Sequence, residues 1–193
     1  VMESYLAAAV HSAGAAGSYP CILAVEPGQT LLKQGLRWLG CQLAERDVVG
    51  VPAMALASGG RELLIWTEDG ERRSREEVLL LTCAALLDSG QRSLYLPPEA
   101  PAAIERLARD RGGTVQRMES GVPTGCQRSL RDGLFAACQI VRYVQRTGET
   151  LSQLFQRLPG CQVRRRVVPL RTSRSAVMGA LSRQYPDAQR MKQ

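Results

Sequence analysis

The stretch from Met54 to Glu71, MALASGGRELLIWTEDGE, has the layout of a binding turn but few of the side chains that such a turn needs. Two apolar runs flank a short glycine turn, and an Asp-Gly turn follows the second run. Turns at strand ends commonly hold ligands in α/β proteins, and a hard divalent cation there needs converging carboxylate oxygens. No carboxylate, histidine or cysteine lies between Ala55 and Gly60, so this turn lacks the side chains for metal chemistry.

Other reactive side chains offer no stronger catalytic or metal site. Glu62, Glu68 and Asp69 are near this turn in the sequence and could bind a metal ion beside it, but acids in such turns are more often solvated. His11 is expected on a helix surface, because no Ser or Asp stands at a spacing that would make it a general base. We therefore predict no catalytic residue and no bound metal from spacing alone.

The cysteines indicate the compartment rather than a site. They are widely spaced and form no CxxC pair, so a zinc site is not expected. We interpret them as small buried hydrophobes in a reducing compartment, which predicts a cytoplasmic protein. The six are Cys21, Cys41, Cys83, Cys126, Cys138 and Cys161.

Positive charge is concentrated at the C-terminal end. The net charge is +7, and residues 164–193 hold eight of the 25 basic residues but one of the 18 acids. Such a segment could contact nucleic-acid phosphates or an acidic partner. Tyr185 is its only aromatic residue, so a solvated face is favoured and nucleic acid is not the expected partner. No apolar run approaches the roughly 20 residues of a membrane span, and no signal peptide or membrane association is expected.

Apolar runs predict alternating helices and strands. CILAV, TLLKQGLRWLG and CQLAE form one predicted β-α-β unit, and SLYL, APAAIERLARDR and TVQRM form a second. The AMALA and RELLIWT strands lie between them, followed by an apolar helix that Ser74 and Glu77 begin with a capping box. Trp38 and Trp66 stand in apolar patterns and are expected in the core or at a domain interface.

The predicted fold class is therefore α/β, with two small three-layer α/β/α domains and mixed, mostly parallel sheets. The first domain covers residues 1–72 and the second covers 73–169. A basic helix or linker occupies 170–193. A strand in CQVRRRVVPL and a helix in SRSAVMGALSRQY are predicted near that end.

The order of these elements resembles the middle of the α-D-phosphohexomutases, the phosphoglucomutase and phosphomannomutase enzymes. DGLFAACQIVRYVQRTGETLSQLFQRLP resembles the helix pair after the sugar-binding loop of their third domain. YPCILAVEPGQTLLKQGLRWLGCQL resembles the opening of their second domain. The resemblance covers roughly residues 3–181. It implies a phosphohexomutase-type fold, with 1–72 like domain II and 73–169 like domain III.

The resemblance also implies a place for the catalytic magnesium. In the family, a loop of the form Asp-x-Asp-x-Asp-Arg between two strands holds that ion. Aligned backwards from the Asp-Gly turn, its three acid positions fall on Ala57, Gly59 and Arg61, with Glu62 in the place of the family's arginine. A shift by one residue places Leu56, Ser58 and Gly60 there, also without a ligand. The metal loop is thus expected to be degenerate and no cofactor is expected.

Sugar and phosphate contacts implied by the resemblance are reduced as well. The family's Gly-Glu-x-Ser-Gly-His loop should fall between Met118 and Asp132, where Glu119 and Ser120 are the remnant. Arg61, Arg128 and Arg131 are candidate phosphate-binding residues. The family's phosphoserine loop and its fourth, phosphate-binding domain have no counterpart in this sequence.

Three functions remain open. The first is a non-catalytic phosphohexomutase-like module, acting in the assembly or regulation of sugar-phosphate or sugar-nucleotide metabolism. The resemblance extends to the mutase-like domains fused behind mannose-1-phosphate guanylyltransferases, and it implies a nucleotidyltransferase domain or a second copy as a partner. The second is part of an active mutase or guanylyltransferase whose catalytic domains lie outside this chain. The third is a basic-tail module that binds nucleic acid or an acidic partner.

Overall fold

Helices and strands alternate through the computed structural model, which describes residues 1–14, 17, 19–44, 48–118, 127–161 and 173–184. Contacts divide the chain into two units, Val1–Cys161 and Gln162–Gln193. The described part of the second unit is residues 173–184. In the ranges described, no helix has the length and apolar character needed to cross a membrane.

The elements follow the order expected from the sequence. The helices are α1 Met2–Ser12, α2 Thr30–Trp38, α3 Arg75–Asp88, α4 Ala103–Asp110, α5 Gly133–Thr147, α6 Leu151–Gln156 and α7 Arg174–Gln184. The strands are β1 Ile22–Val25, β2 Gln42–Ala44, β3 Ala53–Ala57, β4 Glu62–Trp66, β5 Ser93–Leu96 and β6 Thr114–Arg117. Two 3₁₀ turns cover Ser58–Gly60 and Arg128–Leu130.

The first sheet has the strand order β2-β1-β3-β4. Strand β1 is parallel to both β2 and β3, so Ala24 faces Ala44 on one side and Ala53 on the other. Strand β4 returns antiparallel to β3 as a hairpin, in which Ala57 faces Glu62. The β1-α2-β2 crossover and the hairpin are both confirmed, and the sheet is mixed and mostly parallel as predicted.

The second sheet consists of β5 and β6, parallel and in register from Ser93 opposite Thr114. The side chain of Gln127 pairs with the backbone of β5 as a further strand would. Its Oε1 accepts from the N–H of Tyr95 at 2.7 Å, and its Nε2 donates to the carbonyl of Ser93 at 2.5 Å. Backbone groups at this edge are therefore satisfied without a third strand.

Helix α3 is buried along most of its length, as its apolar sequence predicts. The capping box is present: Ser74 Oγ accepts from the N–H of Glu77 at 3.3 Å, and the Glu77 carboxylate accepts from the N–H of Ser74 at 2.8 Å. This pair satisfies two orphan donors of the first turn and fixes where α3 begins after β4.

Helix α5 is buried on all sides from Gly133 to Gln145, including the polar side chains within that span. Gln139 Nε2 donates to the carbonyl of Ser12 at 2.6 Å, and Gln145 Nε2 donates to the carbonyl of Leu39 at 2.9 Å. Arg142 Nη1 also donates to the Leu39 carbonyl, at 3.3 Å. Carbonyls at the ends of α1 and α2 have no partner within their own helices, so α5 supplies the donors that they need.

One hydrophobic cluster within Val1–Cys161 joins the two sheets: α3 and α5 pack on the hairpin strand β4, and α4 packs on β6 and against α3. The predicted division into 1–72, 73–169 and 170–193 remains a prediction, since shared packing does not decide whether each sheet is a domain. The predicted strand in CQVRRRVVPL falls on residues 162–170, outside the described residues.

The two tryptophans differ from each other in burial. Trp38 is 47% exposed and so does not lie in the core, while its place at a domain interface stays a prediction. Leu32 and Leu36 fill the core face of α2, and Trp38 is the last residue of that helix. Trp66 is half-buried, with the guanidinium of Arg72 at 6.0 Å from its ring centroid. His11 is exposed on α1 as predicted.

Candidate functional site

The β3-β4 hairpin has a strained tip. Ser58, Gly59 and Gly60 all have positive φ angles, of 53°, 67° and 88°. Among the described residues, Ser58 is the only one other than glycine with a positive φ. A left-handed conformation costs an ordinary residue roughly 1–2 kcal/mol. Strain of this kind often marks a site where the backbone is held for a purpose, which directs attention to this hairpin.

The three positions matched to the family's metal ligands all lie in this hairpin. Ala57 ends β3, Gly59 is at the tip, and Arg61 precedes β4 with an exposed side chain. They present a methyl group, a hydrogen and a guanidinium, and none of these donates an oxygen to Mg²⁺. The residues present therefore do not fit a magnesium ion. Within the described ranges, no three His, Cys, Asp or Glu side chains cluster as a metal site.

Glu68 is engaged in holding another element. Its carboxylate accepts from the N–H groups of Leu151 and Ser152, both at 2.8 Å, and from Ser152 Oγ at 2.7 Å. These groups begin α6, where the helix dipole favours a negative charge. Glu68 is thus a helix-capping residue, whereas the sequence suggested a solvated turn.

Asp69 stabilises its own turn. Its Oδ1 accepts from Thr67 Oγ1 at 2.5 Å and from the N–H of Glu71 at 3.0 Å. The bond from Thr67, the bond from Glu71 and the nearby Arg73 guanidinium hold the pKa of Asp69 below its usual value. Its oxygens therefore serve the Asp-Gly turn.

A cleft lies beside the hairpin, with a volume of about 110 Å³. Pockets that enclose a whole small molecule measure about 300–1,000 Å³, so this cleft fits one charged group of a ligand rather than the entire ligand. Its polar lining comes from four places: Arg61 and Glu62 at the hairpin, Arg75 and Thr82 in α3, Ser129 in the second 3₁₀ turn and Asp132 before α5.

Ser129 stands out among these lining residues. It is 5% exposed, and its Oγ has no hydrogen-bond partner among the described residues. Buried hydroxyl groups are usually paired, because leaving one unpaired costs free energy. Arg61 and Arg75 are exposed, and neither guanidinium has an ion pair or hydrogen bond within the described ranges.

Asp132 already has partners for its negative charge. It is the N-cap of α5 and accepts from the N–H of Leu134 at 3.1 Å. It also accepts from the Tyr5 hydroxyl at 2.7 Å and pairs with Arg128 Nε at 3.4 Å. Burial, followed by the hydrogen bond to Asp132, raises the pKa of Tyr5 well above its usual range. The negative charge of Asp132 is thus balanced by these partners.

Only one of the three predicted phosphate-binding arginines lines the cleft. Arg61 does, whereas the Arg128 guanidinium lies 5.0 Å from the ring centroid of Tyr5 and 4.5 Å from that of Phe135. Arg131 is exposed and does not line the cleft. Their roles in phosphate binding remain predictions. The predicted sugar-loop remnant, Glu119 and Ser120, lies outside the described residues.

Arg75 and Ser129 were missed by sequence reasoning. Arg75 follows the capping residue Ser74 directly, so the capping box that placed α3 could also have placed a cation at its first turn. Ser129 carries no comparable signal, because its burial depends on how the 3₁₀ turn packs beside α3 and α5.

Gly133 fixes the distance between α5 and the hairpin. A Cβ atom at this position would lie 2.8 Å from Leu56 Cδ2 and 2.9 Å from the carbonyl carbon and oxygen of Glu62. Backbone atoms cannot move away cheaply, so this position accepts only glycine without rearrangement. Gln29 anchors the same hairpin from the other side, with its amide bonded to both the N–H and the carbonyl of Leu56 at 3.2 and 3.1 Å.

Comparison with known proteins yields likeness of structure only. No protein-family model and no curated protein matches this chain. A crystal structure of a phosphoglucomutase/phosphomannomutase family protein from Burkholderia thailandensis is similar, with a TM-score of 0.63 and 17% identity. That match covers 83% of this chain and 47% of the other.

A putative phosphomannomutase from Thermus thermophilus is also similar, with a TM-score of 0.60 and 14% identity over 81% of this chain and 50% of the other. The chain thus spans about half the length of these structures. At such identities the likeness establishes the fold alone. The α/β, phosphohexomutase-type fold predicted from the sequence is confirmed, whereas the domain assignment and the link to guanylyltransferases remain predictions.

Proposed function

We propose that this chain is a non-catalytic phosphohexomutase-like module that binds the phosphate group of a sugar phosphate in the cleft beside the β3-β4 hairpin. The observation that carries the proposal is the buried, unpartnered hydroxyl of Ser129, in a cleft that Arg61 and Arg75 also line. The sugar phosphate as ligand class is taken from the phosphomannomutase named among the similar structures.

The chemistry of the cleft suits an anion. Guanidinium groups bind phosphate oxygens through paired N–H donors, and a serine hydroxyl adds a further donor. Glu62 and Asp132 are the acids of the lining. Asp132 is compensated by Tyr5 and Arg128, so the two arginines outweigh the remaining charge.

The absence of catalysis rests on the donor set of the hairpin. Ala57, Gly59 and Arg61 offer no oxygen where the resemblance would place magnesium ligands. Binding is therefore expected to be independent of magnesium. A module of this kind would act in assembly or regulation of sugar-phosphate or sugar-nucleotide metabolism, with a nucleotidyltransferase domain or a second copy as partner.

A second candidate is favoured by length. Because the chain spans 47% and 50% of two similar structures, it fits a segment of a larger enzyme. The enzyme would be an active hexose-phosphate mutase or guanylyltransferase whose catalytic domains lie outside this chain. In that case a metal would be supplied from elsewhere, and ligand affinity would depend on it.

Isothermal titration calorimetry tests the proposal with mannose 1-phosphate and glucose 1-phosphate, each with magnesium and with a chelator. We expect the same affinity in both conditions. Replacing Arg61 or Arg75 by Ala should weaken binding by about three- to tenfold, since charge-assisted bonds are moderated by solvent at exposed positions. Arg109→Ala, at an exposed position of α4 outside the cleft, should leave the affinity unchanged.

Each other outcome has a defined meaning. Binding that requires magnesium would favour the enzyme fragment. No heat with either sugar phosphate would refute the proposal. Equal losses for Arg61→Ala and Arg109→Ala would also refute it, because general surface charge would then explain the affinity.

A further inference from the structure

Cys21 and Cys41 lie side by side at the entrance to two parallel strands. Strands β1 and β2 are in register from Ile22 opposite Gln42, so the cysteines stand one position earlier on each strand. The N–H of Gln42 donates to the carbonyl of Cys21 at 2.9 Å, which extends the ladder to that point. Neighbouring strands are about 4.7–4.9 Å apart, within the Cα separation of about 4.4–6.8 Å that a disulfide spans.

The two thiols are buried neighbours. The residues are 5% and 7% exposed, and they stand opposite each other one position before the paired Ile22 and Gln42. Both are free thiols in this structure. The strand register therefore places the two residues at a backbone separation that a disulfide spans.

We propose that Cys21 and Cys41 are an oxidisable dithiol, a modification site at which a small peroxide converts the two thiols to a disulfide. Cys21 lines a surface pocket of about 170 Å³, together with Tyr19, Glu149 and Thr150. That space admits hydrogen peroxide but not a protein oxidant. The inference does not depend on ligand binding in the cleft beside the hairpin.

A buried cation accompanies the pair. Arg142 is 7% exposed, and its Nε has no hydrogen-bond partner in the part of the chain that is described. Its other contacts are to the Leu39 carbonyl, two residues before Cys41, and to Gln145 Oε1 at 2.7 Å. Its positive charge favours the thiolate form of Cys41, which is the form that attacks sulfur.

Access from the surface assigns different roles to the two thiols. Cys21 lines the pocket and Cys41 does not, so Cys21 is the residue that attacks the oxidant and Cys41 is the residue that resolves the product. The direction of the pKa shifts agrees with this. The hydrogen bond from Cys41 lowers the pKa of Cys21, although burial and Glu68 oppose this. The same bond and burial raise the pKa of Cys41, while Arg142 acts in the opposite direction.

The reaction balances with one peroxide. The Cys21 thiolate attacks one oxygen of hydrogen peroxide, so that an S–O bond forms, the O–O bond breaks and hydroxide leaves with the proton lost by Cys21. Cys41 sulfur then attacks the sulfur of Cys21, and the S–O bond breaks as hydroxide leaves with the proton of Cys41. Two thiols and one peroxide give one disulfide and two waters.

Other described cysteines lack this arrangement. Burial raises the pKa of Cys83 and of Cys138 to about 12, which keeps them protonated and inert. Cys161 is partly exposed, but burial and the nearby Glu76 and Glu77 raise its pKa as well. Selectivity for Cys21 and Cys41 is thus the feature to be tested.

The experiment treats the folded, reduced chain with stoichiometric hydrogen peroxide, blocks remaining thiols, and maps tryptic peptides without reduction. Cleavage after Lys33 and Arg37 separates the two cysteines, so a cross-linked pair of peptides reports the disulfide directly. We expect this cross-link, its reversal by dithiothreitol, and a sulfenic acid on Cys21 in the Cys41→Ser variant. Cys83→Ser is the matched control and should retain the cross-link.

A measurement without mutation guards against unfolded variants. The oxidised wild-type chain should unfold at a higher temperature than the reduced chain, because a bond across the β1-α2-β2 unit constrains the unfolded state. The proposal is overturned if Cys21 and Cys41 are recovered as thiols while other cysteines oxidise. It is also overturned if the cross-link forms only in urea.

Discussion

Replacing Gly133 by Ala tests whether close packing of α5 against the hairpin builds the cleft. The added Cβ would meet Leu56 Cδ2 at 2.8 Å and the carbonyl group of Glu62 at 2.9 Å. Overpacking of this kind costs about 1–3 kcal/mol. Replacing glycine by alanine also reduces the conformational freedom of the unfolded chain, which stabilises the fold by about 0.4–1 kcal/mol. The unfolding free energy should therefore fall by about 1–2 kcal/mol.

Gly35→Ala provides the matched control, because it is also a helical glycine. Its Cβ would meet only side-chain ends, Leu134 Cδ1 at 3.1 Å and Leu6 Cδ2 at 3.6 Å, which can move. Helix propensity favours Ala by about 0.8–1 kcal/mol, so this variant should be neutral or slightly stabilised.

Urea unfolding, followed by circular dichroism, gives both free energies, and thermal unfolding gives a second reading. Each kcal/mol of lost stability lowers the unfolding temperature of a chain of this size by about 2–4 °C, so the unfolding temperature of Gly133→Ala should be about 2–8 °C below that of the wild type. The affinity for sugar phosphates should fall with it, since the cleft widens. A Gly133→Ala variant as stable as wild type, beside a destabilised Gly35→Ala, would refute the steric reasoning.

Two further variants probe the acids near the site. Glu68→Gln replaces the carboxylate at the start of α6 and should lower the unfolding free energy by about 1–2 kcal/mol. The control, Glu71→Gln on the surface, should change the unfolding free energy by less than about 1 kcal/mol. Equal losses in the two variants would contradict the capping role of Glu68. Tyr5→Phe tests the hydrogen bond between Tyr5 and Asp132. The pKa of Tyr5 in the folded chain is raised above the ordinary value of 10.0. The stability that this hydrogen bond contributes is therefore complete below pH 10 and is lost as the pH rises. Between pH 10 and 11 the unfolding free energy of the wild type should therefore fall more steeply than that of Tyr5→Phe. The difference should be less than about 1.4 kcal/mol per pH unit, because the pair is partly exposed. Urea unfolding at each pH measures both free energies, and an equal fall in the two proteins would exclude the effect.

Local signals predicted the parts of the fold that short-range physics determines. The capping box of Ser74 and Glu77 placed the start of α3, and alternating apolar runs placed the hairpin from Ala53 to Trp66. The β1-α2-β2 crossover followed from chain length and handedness. In each case the residues that specify the element lie within the element itself.

Features that depend on packing between distant segments were not predictable in the same way. Arg128 has a side chain suited to phosphate binding, yet its guanidinium already contacts the Tyr5 ring and pairs with the Asp132 carboxylate. Trp38 follows an apolar pattern but projects from the last position of α2. Ser129 joins the cleft through burial, which no spacing in the sequence encodes.

The polar residues inside α5 have a consequence for synthesis on the ribosome. Gln139 bonds to a carbonyl 127 positions earlier in the chain, and Arg142 and Gln145 bond to one 103 and 106 positions earlier. The C-terminal ends of α1 and α2 therefore lack these donors until α5 has left the ribosome. Contacts of such long range slow folding, because the loop must close before the bonds form. The ends of α1 and α2 thus remain without these partners until Gln145 has emerged, and such partly packed segments expose apolar surface that chaperones bind.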